Sequence, residues 1–111
     1  MLELLAPAGS QEALVAAVEN GADAVYLAGD KFGARAYAAN FTADGLRAAI
    51  RFAHLRGVAV HVAVNTIVDD AEMKDLSDYL RFLYEAGADA VLIQDLGAAR
   101  LARRIVPALP L

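Results

Sequence analysis

Residues 19–27 read Glu-Asn-Gly-Ala-Asp-Ala-Val-Tyr-Leu, and residues 85–93 read Glu-Ala-Gly-Ala-Asp-Ala-Val-Leu-Ile. A looser copy covers residues 55–62, Leu-Arg-Gly-Val-Ala-Val-His-Val. In each copy a glycine follows a helical pattern, where it can take the left-handed conformation that ends a helix, and an apolar run typical of a strand comes next. The repeat therefore predicts consecutive strand–helix units with parallel strands.

The rest of the chain fits around these copies as four strand–helix units. The predicted strands are Glu3–Ala6, Ala24–Leu27, Ala59–Asn65 and Ala90–Gln94. The predicted helices run from Gln11 to Asn20 after Ser10, from Ala43 to Arg56 after Thr42, from Asp70 to Ala86 after Asp69, and from Gly97 to a point before Pro107. We interpret residues 1–111 as one α/β segment, the parallel (β/α)4 half of a TIM-like barrel, because a closed barrel needs eight strands.

The composition limits what this segment can do. It contains no cysteine and two histidines, so disulfides and thiolate metal sites are excluded and we expect no metal site. The net charge of −4 argues against a large basic surface for nucleic acid on this segment alone. No apolar run approaches the roughly 18 residues of a membrane helix, and the start lacks a signal-peptide pattern. We therefore expect a cytoplasmic protein without a membrane partner.

Polar side chains follow two of the predicted strands. In parallel α/β folds ligands bind at the carboxyl ends of strands, where Asn65, Gln94 and Asp95 stand. Alternation along the third strand predicts that its valines face the helices, while His61 and Asn65 face the barrel interior. Two alternatives stay open: Asn65 binding only a neighbouring loop, and Asp95 serving only as a helix cap.

The long connection from residue 28 to residue 41 is a second candidate for binding. Arg35 is suited to a carboxylate or phosphate, and Tyr37 to stacking on a ring. In the alternative interpretation, Phe32 and Phe41 pack the connection onto the barrel and its charges are solvated.

Four further residues have structural interpretations. We expect His61 to be a hydrogen-bonded interior histidine more readily than a base, and His54 to compensate a helix dipole at the surface. Asp23 and Asp89 stand in equivalent turns before strands, at the end opposite the predicted active face, and we expect them to stabilise the fold. Ser10 is explained by helix capping, so no nucleophile for a peptidase is evident.

Taken together, several stretches resemble the N-terminal part of the collagenase-like peptidase family, peptidase family U32. They are Glu3–Ser10, Glu19–Leu27, Phe32–Phe41, His54–Gly57, Val64–Thr66 and Gln94–Gly97. The resemblance implies a longer protein with a TIM-like barrel, classed as a peptidase or tied to oxygen-independent hydroxylation of RNA or of a ubiquinone precursor. It also implies an iron–sulfur cluster on cysteines of later segments, and no cofactor within this one.

The resemblance supports a set of substrate-binding candidates without assigning a catalytic residue. They are Arg35, Tyr37, Asn40, Asn65, Gln94 and Asp95. We expect the segment to be inactive alone and to form one side of a pocket for RNA or a small molecule in a longer protein. Four strands leave two open edges of the sheet, and we expect the remainder of the barrel or a second copy of the chain to cover these edges. A non-catalytic module that self-assembles or binds a small anion is the other class.

Overall fold

The computed structural model describes residues 4–28, 41–64, 73–93 and 96–110, in which strands and helices alternate. The strands of these ranges are β1 (Leu5–Pro7), β2 (Ala24–Leu27), β3 (Ala59–Val64) and β4 (Ala90–Ile93). Their helices are α1 (Gln11–Glu19), α2 (Ala43–His54), α3 (Met73–Ala86) and α4 (Leu96–Ile105). The strands pair in the order β1-β2-β3-β4, and every pair is parallel. The α/β class with a parallel sheet is therefore confirmed.

The first strand differs from its prediction. It extends to Pro7, one residue beyond the predicted end at Ala6, whereas the predicted start at Glu3 lies outside the described residues. Leu4, which was predicted to be inside the strand, is bonded to the turn that opens β2: its carbonyl oxygen accepts the N–H of Asp23 at 2.9 Å. Proline is tolerated here because no strand of the described residues pairs with the outer edge of β1.

The first two helices begin at the capping residues that the sequence predicted. The Ser10 hydroxyl accepts the N–H of Ala13, and the Thr42 hydroxyl accepts the N–H of Gly45, both at 3.1 Å. The structure ends α1 and α2 one and two residues before the predicted ends at Asn20 and Arg56. The predicted cap of the third helix, Asp69, lies outside the described residues.

Three glycines of the repeat stop helices as predicted. Gly21, Gly57 and Gly87 have φ angles of 88°, 74° and 97°. Side chains with a Cβ rarely adopt this left-handed region. The chain therefore leaves each helix in a turn that returns it to the sheet.

The hydrophobic core lies between the helices and one face of the sheet. Val60, Val62 and Val64 are fully buried there, as alternation along β3 predicted. The largest fully buried side chains that the helices add are Leu14, Leu46, Ile50, Leu76, Leu80 and Leu83. Burial of one such side chain contributes about 1.5–3 kcal/mol, so this layer supplies most of the driving force for folding.

The segment after α4 returns to the sheet. The carbonyl oxygen of Pro110 accepts a hydrogen bond from the N–H of Val91 at 2.9 Å. Because β3 occupies one edge of β4, this bond is made at the other edge, where a next parallel strand would stand. No helix in the described part of the chain is long and apolar enough to cross a bilayer.

Candidate functional site on the open sheet face

The six residues predicted to bind substrate all lie outside the described residues. They are Arg35, Tyr37, Asn40, Asn65, Gln94 and Asp95. Their roles stay predictions. What the structure describes is the framework: Val64 and Ile93, which directly precede Asn65 and Gln94 in the sequence, are register partners at the carboxyl edge of the sheet.

One face of the sheet carries no helix in the described part of the chain. The alternation and the register place the following residues on it: Leu5, Pro7, Ala24, Tyr26, Ala59, His61, Ala63, Ala90 and Leu92. Leu5 is 42% exposed, and Tyr26 and Leu92 are each 37% exposed. Ala24 and Ala63 are buried, yet they are not members of the core cluster beneath the helices. We call this surface the open face.

Tyr26 and His61 are the polar side chains of the open face. They are register partners on neighbouring strands, with Pro7 and Ala90 flanking them in the same row. Side chains opposed in this way stand about 4.5–5.5 Å apart at Cβ. His61 is half-buried, and among the described residues neither its ring nor the Tyr26 hydroxyl has a hydrogen-bond partner. We expected His61 to be a hydrogen-bonded interior histidine, but the described part of the chain provides no hydrogen-bond partner for it.

Sequence reasoning singled out His61 and missed Tyr26. The signal was present, because β2 alternates between buried valine or leucine and the residues facing the other way. What the sequence lacked was the register, which makes Tyr26 the neighbour of His61 although 35 residues separate them. A phenol and an imidazole side by side offer hydrogen-bond donors and acceptors together with two flat rings.

A histidine–aspartate pair lies at the opposite edge of the sheet. The Asp89 carboxylate atom Oδ2 lies 2.7 Å from His54 Nε2 and accepts the N–H of Val60 at 2.7 Å. Asp23 makes the equivalent backbone contact, accepting the N–H of Leu4 at 2.8 Å. Both aspartates hold the start of a neighbouring strand, which supports the stabilising role predicted for them. The contact of His54 with Asp89 was not predicted.

The described residues do not assemble a hydrolytic centre. The Ser10 hydroxyl caps α1 at the carboxyl side of β1, whereas the His54–Asp89 pair lies at the amino side of β4. Ser77 lies in α3, ten residues before Gly87, the glycine whose Cβ position faces His54, and ten helical residues span about 15 Å. No group of three or more His, Cys, Asp or Glu residues in the described ranges is arranged to hold a metal ion.

The model of peptidase family U32 matches residues 9–111 of this chain. The chain belongs to peptidase family U32. This confirms the family that the N-terminal motifs indicated. A tRNA hydroxylation protein P1 of Bacillus subtilis is 37% identical over 105 residues, which are 95% of this chain and 25% of that protein.

Two more relatives are similar over nearly the whole chain. A 23S rRNA 5-hydroxycytidine synthase of Escherichia coli is 40% identical over 100 residues, 90% of this chain and 15% of that protein. An uncharacterized protease of Methanocaldococcus jannaschii is 38% identical over 105 residues, 95% of this chain and 26% of that protein. The U32 chain thus spans about a quarter or less of the length of these relatives.

Proposed function

We propose that this chain is the N-terminal wall of a (β/α) barrel in a U32 protein that hydroxylates RNA, and that the open face lines its substrate pocket. The observation that carries the proposal is the similarity, over at least 90% of the chain, to a tRNA hydroxylation protein and an rRNA hydroxycytidine synthase. The remaining support comes from the sheet. Since tRNA and rRNA are cytoplasmic, a cytoplasmic location belongs to the same proposal.

The stagger of the strands supports the barrel. Ala24 and Ala90 are equivalent positions of the repeat, but Ala24 pairs with Ala59 and Ala90 pairs with His61, two residues further along β3. Over the two strand pairs β2–β3 and β3–β4, the register of equivalent positions is therefore shifted by two residues in total. The average stagger is one residue per strand. A closed eight-stranded barrel with a shear of eight needs this average stagger.

The returning tail supports continuation of the sheet beyond β4. Pro110 bonds to the edge of β4 that β3 leaves free, so a further strand has a template there. Because the relatives are about four times longer than this chain or more, we propose the remainder of the barrel as the cover of the open face. A second copy of the chain is the alternative cover.

The iron–sulfur cluster that the family implies does not fit the residues of this chain. Such clusters are held by cysteine thiolates, in some centres together with histidines, and the chain contains no cysteine. A cluster would need ligands from outside these residues. The contribution of this chain is therefore binding and positioning of the substrate.

Proteolysis is the second candidate function, favoured by the similarity to the uncharacterized protease. The chemistry of the described residues gives it little support. The hydroxyl of Ser10 is engaged in a helix cap, and the His54–Asp89 pair braces a strand. A peptidase would need its nucleophile from elsewhere.

The proposed function predicts the loss of a modified nucleoside. In a strain lacking the gene of the full-length protein, we expect mass spectrometry of digested tRNA and rRNA to show that one hydroxylated nucleoside has disappeared. Reintroducing the gene should restore it. If the nucleosides are unchanged and the purified protein cleaves gelatin, RNA hydroxylation is rejected and proteolysis is the function.

Arg35 provides a test of the pocket predicted from the long connection. If its guanidinium binds a substrate carboxylate or phosphate, Arg35→Ala in the full-length protein should reduce product formation by roughly tenfold to a hundredfold, since a charge-assisted hydrogen bond is worth about 1.5–3 kcal/mol. Arg51→Ala is the matched control, because Arg51 is an exposed α2 residue on the helix side of the sheet. Equal activities of the two variants would remove Arg35 from the site.

A further inference from the structure

We propose that Tyr26 and His61 form the floor of the pocket and bind the target pyrimidine base of the RNA. This inference rests on the proposed function and gives two particular side chains a role in it. Both belong to the same row of the open face and are register partners. His61 lies three residues before Val64, the last residue of β3, which places it about 10 Å below the carboxyl edge at a rise of 3.3 Å per residue.

The side chains around the two rings are mostly small. Barrel interiors are ordinarily filled by bulky branched side chains in layers. Apart from Pro7, which flanks Tyr26 in the same row, the described positions directly next to Tyr26 and His61 are instead Ala24, Ala59, Ala63 and Ala90. Of these, Ala63 lies on the carboxyl side of His61, toward the entrance. Ala24 and Ala63 are buried, whereas Tyr26 is 37% exposed and His61 is half-buried, so the two rings are the accessible side chains of this part of the open face.

The polar groups of the pair need a partner once the face is enclosed. A covered barrel removes water from the Tyr26 hydroxyl and the His61 ring nitrogens, and buried polar groups are almost always hydrogen-bonded. Within the described ranges neither group has such a partner. His54 differs, because its Nε2 atom already lies 2.7 Å from the Asp89 carboxylate. A bound ligand with donors and acceptors along one edge would satisfy the Tyr26–His61 pair.

A pyrimidine base has the required chemistry. Enzymes that modify a base move it out of the stack, then hold it by hydrogen bonds to its edge and by contact with aromatic and apolar side chains. Tyr26 and His61 offer both the hydrogen bonds and the flat rings, and Leu92 with the alanines offers apolar contact. The pair therefore positions the base, while the oxidising chemistry is left to other groups.

The test combines product formation with folding. In the full-length protein, Tyr26→Phe and His61→Leu should each lower the hydroxylated nucleoside about tenfold, the factor that corresponds to 1.4 kcal/mol. The midpoint of thermal unfolding should stay within about 3 °C of the wild type. Tyr84→Phe is the matched control for the first variant, since Tyr84 is an exposed residue of α3, and it should keep full activity. Wild-type product levels in Tyr26→Phe and His61→Leu would overturn the inference.

The variant His54→Leu distinguishes a structural role of the Tyr26–His61 pair from a role in binding. This variant loses the contact with Asp89, so its melting temperature should fall while its activity per folded molecule is kept. If Tyr26→Phe and His61→Leu behave in the same way as His54→Leu, the pair is structural and the inference fails.

A binding measurement keeps the inference testable even if the proposed function fails. Wild-type protein should bind a short oligocytidine about tenfold more tightly than an abasic oligomer of the same length, and the Tyr26→Phe/His61→Leu double variant should bind both equally. Absence of hydroxylation with this preference intact would reject only the proposed function. A preference that the double variant retains would reject the base-binding role.

Discussion

Replacement of Leu80 by alanine is expected to lower the free energy of unfolding by about 3 kcal/mol. Leu80 lies at the centre of α3 and is fully buried in the core cluster. Truncation removes three carbon atoms from water-free surroundings and leaves a cavity, and such changes cost about 2–5 kcal/mol. Urea unfolding followed by circular dichroism measures the change.

Leu55 offers the same substitution outside the core. It is 75% exposed at the end of α2, so Leu55→Ala should change the free energy of unfolding by less than about 0.5 kcal/mol. If Leu80→Ala does not fold, Ile50→Val provides a milder probe of the same cluster, with an expected loss of about 1 kcal/mol. A loss for Leu55→Ala as large as that for Leu80→Ala would contradict the burial of Leu80 in the core and the exposure of Leu55.

Replacement of Asp89 by alanine is expected to lower the free energy of unfolding by about 2 kcal/mol, which is more than the same change at Asp23. Both carboxylates accept one backbone N–H from the start of a neighbouring strand, and removal leaves that donor unpaired. Asp89 alone also holds His54, at 2.7 Å. Asp23→Ala should therefore lower the free energy of unfolding by about 1 kcal/mol, which is the contribution of the backbone hydrogen bond alone.

A double-mutant cycle isolates the contribution of His54. His54 and Asp89 are each about 40% exposed, so solvent screens their attraction and the coupling energy should be below about 1 kcal/mol. Equal losses for Asp23→Ala and Asp89→Ala, with no coupling between His54 and Asp89, would contradict the arrangement at this edge of the sheet.

The strand-bracing role of the aspartates has a consequence for function. Carboxylates at the amino edge of the sheet fix the starts of β1 and β3, whereas the predicted binding residues Asn65 and Gln94 follow β3 and β4 in the sequence, after the carboxyl ends of these strands. In barrel enzymes the same division separates stabilising residues from catalytic ones. Under the proposed function, variants at Asp23 and Asp89 should consequently lower stability without changing which RNA is modified.

Local sequence determined most of the secondary structure. The glycines after each helix, the capping hydroxyls of Ser10 and Thr42 and the alternation along β3 depend on neighbours a few residues away, so the boundaries of β2 and the caps were predicted correctly. The repeat of Gly-Ala-Asp-Ala also determined that the strands are parallel, because each strand must be followed by a returning helix.

Only the tertiary structure decided which distant side chains meet. Tyr26 and His61 lie 35 residues apart and are brought next to each other by the register between β2 and β3. His54 and Asp89 are also 35 residues apart, and they meet because the end of α2 packs beside the turn before β4. A shift of one residue in that register would turn every side chain to the opposite face, and the local pattern does not specify it. The sequence therefore determined the strands, the helices and their caps, whereas the open face with its tyrosine–histidine pair exists only because long-range pairing fixed the stagger of one residue per strand.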